Sequence, residues 1–136
     1  MFAPAITAGR ILLTLSGIAN ALGPFVADFN KTHLYNPKWP PHAKFHDAQT
    51  MSLGAGLGLL TLYYTWTSTN APHESLTAAA FLGSLYWLTG LSAILYPGTK
   101  GMDPEFGEGF PQFWLFSGLF TLTWVGWWLE SANLTA

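Results

Sequence analysis

The sequence predicts an all-α fold: an integral membrane four-helix bundle running up-down-up-down, one transmembrane domain over residues 1–136. Three observations predict it. Four segments, 11–27, 48–73, 75–99 and 109–129, contain no Asp, Glu, Lys or Arg, and each is close to the roughly 20 residues that cross a bilayer core. Only 9% of the residues are charged and half are hydrophobic, whereas a typical soluble domain is about 25% charged. The connections between the segments are short, which makes sequential helices antiparallel neighbours. In hydrocarbon each backbone amide must find its partner within its own segment, so the spans are helices.

Composition also removes function classes. The net charge is −2 with no basic cluster, so nucleic acid is not an expected partner. The chain has no cysteine, which excludes disulfides, thiolate nucleophiles and thiolate-bound metals. Arg10 followed by an apolar run imitates a signal peptide. We expect that run to be retained as the first helix.

The first helix is expected over 6–28. Thr14, Ser16 and Asn20 make it the most polar of the four, and Gly23-Pro24 should kink it or end it near Asp28. Arg10 at its start is expected to snorkel to the headgroups. Asn20 has two readings, a hydrogen bond between helices or a substrate contact. The second helix is expected over 42–68, just after Pro40-Pro41, because proline suits a first helical turn. Its Gly54-x-x-x-Gly58 would let a neighbouring helix approach closely, and Tyr63, Tyr64 and Trp66 suit an interfacial aromatic belt. The third is expected over 75–96, stopping at Pro97-Gly98. The fourth is expected over 111–131, following Pro111 and ending on Trp127, Trp128 and Glu130. Most aromatic residues are expected to pack or to face lipid, with Trp87 and Trp114 as candidates to touch a substrate.

In such a bundle loops 1–2 and 3–4 emerge at the same end. Five of the seven acids (Asp28, Asp47, Asp103, Glu105, Glu108) and three of the four histidines (His33, His42, His46) then gather at one mouth. Lys31, Lys38, Lys44 and Lys100 also lie there, so the positive-inside rule puts both loops in the cytosol, at the endoplasmic reticulum if the host is eukaryotic. The sequons Asn30-Lys31-Thr32 and Asn133-Leu134-Thr135 lie at opposite ends, so at most one can face a lumen.

The densest polar stretch is 36–49, N-P-K-W-P-P-H-A-K-F-H-D-A-Q, with two histidines, two lysines, one acid and three prolines. His42 and His46 are four apart and share a helix face, which Gln49 extends; Asp47 points about 100° from His46. Three readings stay open. An imidazole and a carboxyl raised by burial can share a proton for acid/base catalysis. Two histidines with a carboxylate can hold zinc or iron, although H-x-x-x-H alone is a weak signal. The histidines can also cap helices or sit among headgroups. Asp103-Pro104-Glu105-Phe106-Gly107-Glu108 is either solvated charge or a carboxylate wall facing the histidines.

The segment 36–46, followed by Gln49-Thr50, resembles the motif of a small four-helix membrane family found in bacteria and in fungal biosynthetic clusters. That resemblance extends to the epoxide hydrolases of aurovertin- and citreoviridin-type polyketide clusters. The layout is also similar to the sterol-isomerase and sigma-2 receptor superfamily, with a Pro- and Trp-containing segment before helix 2. The likeness covers the whole length in topology and about 14 residues in motif, and it transfers no individual residue.

The expected function is therefore a membrane-embedded enzyme that opens an epoxide on a lipophilic polyene- or terpenoid-like molecule. His42, His46, Asp47, Asp28, Asp103 and Glu105 are the catalytic candidates. Asn20, Asn36, Trp39, Gln49, Trp87 and Trp114 are the substrate-binding candidates, with the oily bundle holding the tail. No metal and no cofactor are expected. The partners expected are the small molecule and membrane lipids, and a homodimer is the assembly to test. The alternatives are a double-bond isomerase of the sterol-isomerase type and a non-catalytic lipid- or sterol-binding protein.

Overall fold

A computed structural model describes residues 4–67 and 70–135. The fold is an all-α four-helix bundle: α1 (Ala8–Asp28), α2 (Pro41–Trp66), α3 (Pro72–Ala93) and α4 (Gln112–Thr135). Each helix packs against the two beside it, and α1 meets α3 across the diagonal. Position 68, the expected end of the second helix, lies outside the described residues.

Thr7 caps α1, its hydroxyl accepting from the Arg10 backbone N–H at 3.2 Å. Pro24 lies inside α1 and has no N–H for the Asn20 carbonyl, yet the helix continues to Asp28. Pro41 and Pro72 open α2 and α3 in their first turns, where no hydrogen bond is lost. The third helix therefore starts three residues earlier than expected. It also ends three earlier, at Ala93, with Gly98 at φ +80° in the turn that follows. The fourth runs past its expected end at 131 to Thr135.

The interior is polar and small, while the outside is apolar and large. Ser16, Asn20, Thr61, Thr65 and Thr123 are fully buried. The Ser16 and Thr123 hydroxyls lie 2.6 Å apart, and the Gly83 carbonyl accepts from Asn20 Nδ2 at 2.9 Å and from Ser16 Oγ at 3.3 Å. Leu13, Leu76 and Ala80 form the apolar plug, with Trp124 and Trp127 against it. Ile18, Leu22, Leu59, Phe81, Leu115 and Trp128 are exposed. α1 and α3 are long and apolar enough to cross a membrane. α2 and α4 dilute their aliphatic residues with glycine, threonine, tyrosine and tryptophan.

The glycine pair of α2 makes the α1–α2 seam. A Cβ on Gly54 would stand 2.9 Å from the Asn20 carbonyl oxygen that Pro24 leaves without its helical donor, and one on Gly58 would stand 2.5 Å from Ala21 N. Gly58→Leu should therefore force the helices apart. Overpacking of this kind costs about 1–3 kcal/mol or more, read as a lower unfolding midpoint in detergent. An unchanged midpoint would mean that this seam is not tightly packed.

Arg10 does not snorkel. It is buried, and its Nε donates to Glu130 Oε1 at 2.8 Å. Its Nη1 bonds the Thr65 carbonyl, and the Thr7 hydroxyl donates to Glu130 Oε2. A buried charge with a carboxylate in reach gains more from pairing than from stretching to the interface.

Candidate functional site

The polar end of the bundle is built from the two loops on the same side, 29–40 and 94–111. Loop 29–40 is shaped by side chains that replace backbone donors. Asn30 donates to the Ala27 carbonyl at 2.6 Å and accepts from Thr32 N at 2.7 Å, closing the end of α1. Asn36, only 2% exposed, accepts from Lys38 N at 2.9 Å. This side-chain turn carries the chain across Pro37, which has no N–H of its own.

From that turn the two loops meet. Asn36 Nδ2 donates to Glu105 Oε1 at 3.1 Å, Trp39 Nε1 donates to Asp103 Oδ2 at 3.0 Å, and Lys38 Nζ pairs with Glu105. Hydrogen bonds from Lys38 and Asn36 hold the Glu105 carboxyl below its ordinary pKa. An open cleft of about 380 Å³ lies among Lys38, Trp39, Asp103, Pro104 and Glu105. A second, of about 450 Å³, lies within loop 94–111 beside Lys100, Met102 and Glu108. Both clefts open in the loop layer, whereas the sequence placed the chamber for a lipophilic tail among the helices.

Beneath this cap, Asp28 and Asp47 flank the charge-free segments 11–27 and 48–73. His33 Nε2 stands 3.6 Å from Asp28 Oδ1, too long for a hydrogen bond and within ion-pair range. The Thr32 hydroxyl lies 2.6 Å from Asn30 Oδ1 and 2.8 Å from His33 Nδ1. Its single proton goes to the Asn30 oxygen, which can only accept. Nδ1–H of His33 then donates to Thr32, leaving Nε2 as the basic nitrogen turned toward Asp28. Trp39 closes over the imidazole edge-on, with centroids 5.1 Å apart.

Asp47 is buried, and its Oδ2 has no partner. Burial raises its pKa, partly offset by His33. Burial likewise raises that of Asp28, His33 opposes the shift, and the charge of Asp47 adds to it. Two carboxyls that burial shifts upward and that feel one another resist ionising together. The Tyr86 hydroxyl on α3 lies within electrostatic reach of both.

The predicted site residues thus fall in five places. Asn36, Trp39, Asp103 and Glu105 meet in the cap, and Asp28 and Asp47 lie beneath it. Asn20 and Trp87 lie deeper. Asn20 joins α1 to α3 through Gly83, and its Oδ1 is unpartnered; Trp87 Nε1 is also buried and unpartnered, between Tyr86 and Phe116. His42, His46 and Gln49 are on the exposed face of α2, bonded to one another and not to the acidic loop. The carboxylates expected to face the histidines, Asp103 and Glu105, instead meet Asn36, Lys38 and Trp39. Trp114 is 79% exposed on the outside of α4. Among the described residues no group of three His, Asp or Glu side chains could hold a metal ion.

Sequence reasoning put His33 at the mouth without choosing it as a catalytic candidate, and it did not single out Tyr86. His33 follows Asp28 by five residues, a spacing that a turn converts into contact. Tyr86 stands in an apolar run with nothing local to mark it.

Residues 12–136 match the model of DUF6640, described as a family of unknown function, and the chain belongs to that family. No curated protein matches the chain, and no solved structure does.

Proposed function

We propose that this DUF6640 member is a four-span membrane enzyme that opens an epoxide on a lipophilic small molecule by acid/base catalysis. The observation that carries the proposal is the group Asp28–His33–Asp47 at the buried end of a polar cap, with His33 Nε2 3.6 Å from Asp28 and a buried, unpartnered Asp47 oxygen. Perturbed titratable groups held together in this way are a physical signature of acid/base sites. The membrane part is supported by the inverted distribution of polarity. A water-soluble bundle does not bury Ser16, Asn20 and Thr123 while exposing aliphatic and aromatic side chains on every helix. Lipid reverses that preference, and small polar residues then join the helices. The four lysines at the polar end support a cytosolic cap.

In this reading the Asp47 carboxyl gives its proton to the epoxide oxygen as the C–O bond breaks. The oxygen of a water, or of a hydroxyl on the same molecule, bonds to the carbon. The proton that oxygen releases passes to His33 Nε2, oriented by Thr32 and balanced by Asp28, and returns to Asp47 to reset the site. The net change is addition of one water, or none in cyclisation. The cap of Trp39, Asn36, Asp103 and Glu105 shields the reacting end from bulk solvent. Epoxide opening is the reaction class that the resemblance of segment 36–46 implies, and the three residues given these roles lie outside that segment.

The same proton pair also suits a double-bond isomerase, because that reaction needs a donor and an acceptor and no nucleophile. Turnover of long-chain terpenoid and polyene epoxides and alkenes in oxygen-18 water separates the readings. Hydrolysis is expected to place one heavy oxygen in the diol. A shifted alkene without label would establish the isomerase, and binding without any product would leave a lipid-binding protein.

A further inference from the structure

The exposed histidines on α2 lie outside the proposed catalytic group, and their geometry gives them a chemistry of their own. His42 Nε2 and His46 Nε2 stand 3.1 Å apart. Two nitrogens bound to one zinc ion at about 2.0–2.1 Å in tetrahedral geometry stand about 3.3 Å apart. The 3.1 Å contact is a hydrogen bond between the two rings, and a metal ion would replace its bridging proton at nearly the same spacing. A one-turn separation on a helix fixes that spacing without any loop rearrangement.

The second observation is the hydrogen bond behind the pair. His46 Nδ1 lies 3.2 Å from Gln49 Oε1. The amide oxygen only accepts, so Nδ1 carries the proton and Nε2 keeps its lone pair. This is the arrangement that orients a metal-ligating imidazole and fixes its tautomer. His42 is braced from its other side by Phe45, whose ring is parallel to it with centroids 6.1 Å apart. The site opens outward at the start of α2, away from Asp28, His33 and Asp47.

We propose that His42 and His46 form a surface chelate for a borderline divalent transition metal, with Zn²⁺ as the reference ion, Gln49 as the positioning residue and water in the remaining coordination places. Imidazole nitrogen selects zinc, copper and nickel over magnesium and calcium. The site is independent of the epoxide chemistry and requires no turnover to be observed.

The test uses the full chain, free of any polyhistidine tag, in detergent micelles at neutral pH. Zn²⁺ is titrated calorimetrically and Co²⁺ by its visible spectrum. One saturable Zn²⁺ site is expected. His42→Ala and His46→Ala should each weaken it at least about tenfold. Gln49→Leu should weaken it by about 10–100-fold, the range for loss of an orienting partner. His73→Ala, at the opposite end of the bundle, should leave it unchanged. All four side chains are exposed or partly so, and circular dichroism without metal checks that each variant keeps its helices. The proposal is overturned if the parent shows no saturable binding up to millimolar Zn²⁺. It is equally overturned if both histidine variants bind as the parent does.

Discussion

Asp47→Asn is expected to lower turnover of a lipophilic epoxide by roughly 10²–10⁴-fold, the range for loss of a general acid, while the bundle stays folded. The amide keeps the shape and removes the only dissociable proton at that carboxyl. The same change should make the protein more stable once the pH exceeds the folded pKa of that carboxyl. A carboxyl whose folded pKa lies above its unfolded value binds its proton more tightly when folded. Its contribution is complete below the unfolded value and disappears as pH rises through the folded one. Above the folded value the parent therefore holds a buried charge at Asp47 that the amide does not. Asp28 shifts in the same direction, so Asp28→Asn should also unfold at a higher midpoint, with its gain growing as pH rises from the carboxylate range. Thermal midpoints against pH and turnover on the same preparations decide the matter. Full turnover in Asp47→Asn would remove the acid from the mechanism, and a midpoint that stays below the parent's as pH rises would mean that the ionised carboxylate is bonded to something that stabilises it.

Much of this arrangement was legible in the sequence, because long charge-free runs and prolines are strong local signals. The four segments, the antiparallel order and the meeting of the two polar loops follow from spacing alone. What the sequence did not carry was rotation. His42 and His46 share a face, but whether that face turns inward depends on where Gly54 and Gly58 lie. Both glycines are against α1, and they draw the Asp47 side of α2 into the bundle. Asp47, Met51, Gly54, Gly58, Thr61 and Thr65 form that buried line, and the histidines are left outside. Small residues, not apolar ones, mark the inner face here, so a search for a greasy stripe points the wrong way. The cap was missed in detail for a different reason. Asn36 and Trp39 reach Glu105 and Asp103 across more than 60 residues of sequence, and no local pattern predicts such a pairing.

Arg10→Met, the second large effect expected, should destabilise the bundle by about 3–5 kcal/mol, the cost of stranding one partner of a buried ion pair. The reason lies at the end of the molecule opposite the cap. Gly9 and Gly126 bring α1 against α4, where a Cβ on Gly9 would stand 2.7 Å from Glu130 Cβ. The carboxylate is thereby delivered to the guanidinium, at 9% and 4% side-chain exposure. Thr7 and the Thr65 carbonyl complete the network, and Trp66 lies 5.9 Å from the guanidinium carbon. Glu130→Gln should cost a similar amount, because it leaves Arg10 charged and unpaired. The double variant Arg10→Met, Glu130→Leu should recover most of the loss, since apolar side chains of similar size need no partner there. Unfolding in detergent across this double-mutant cycle separates the pair energy from packing. A loss within about 1 kcal/mol for either single variant would be the behaviour of a solvated surface pair. At Arg10 both charged groups are paired, so removing either one leaves the other buried without a counter-charge, and this is why the single variants should cost more than the double one.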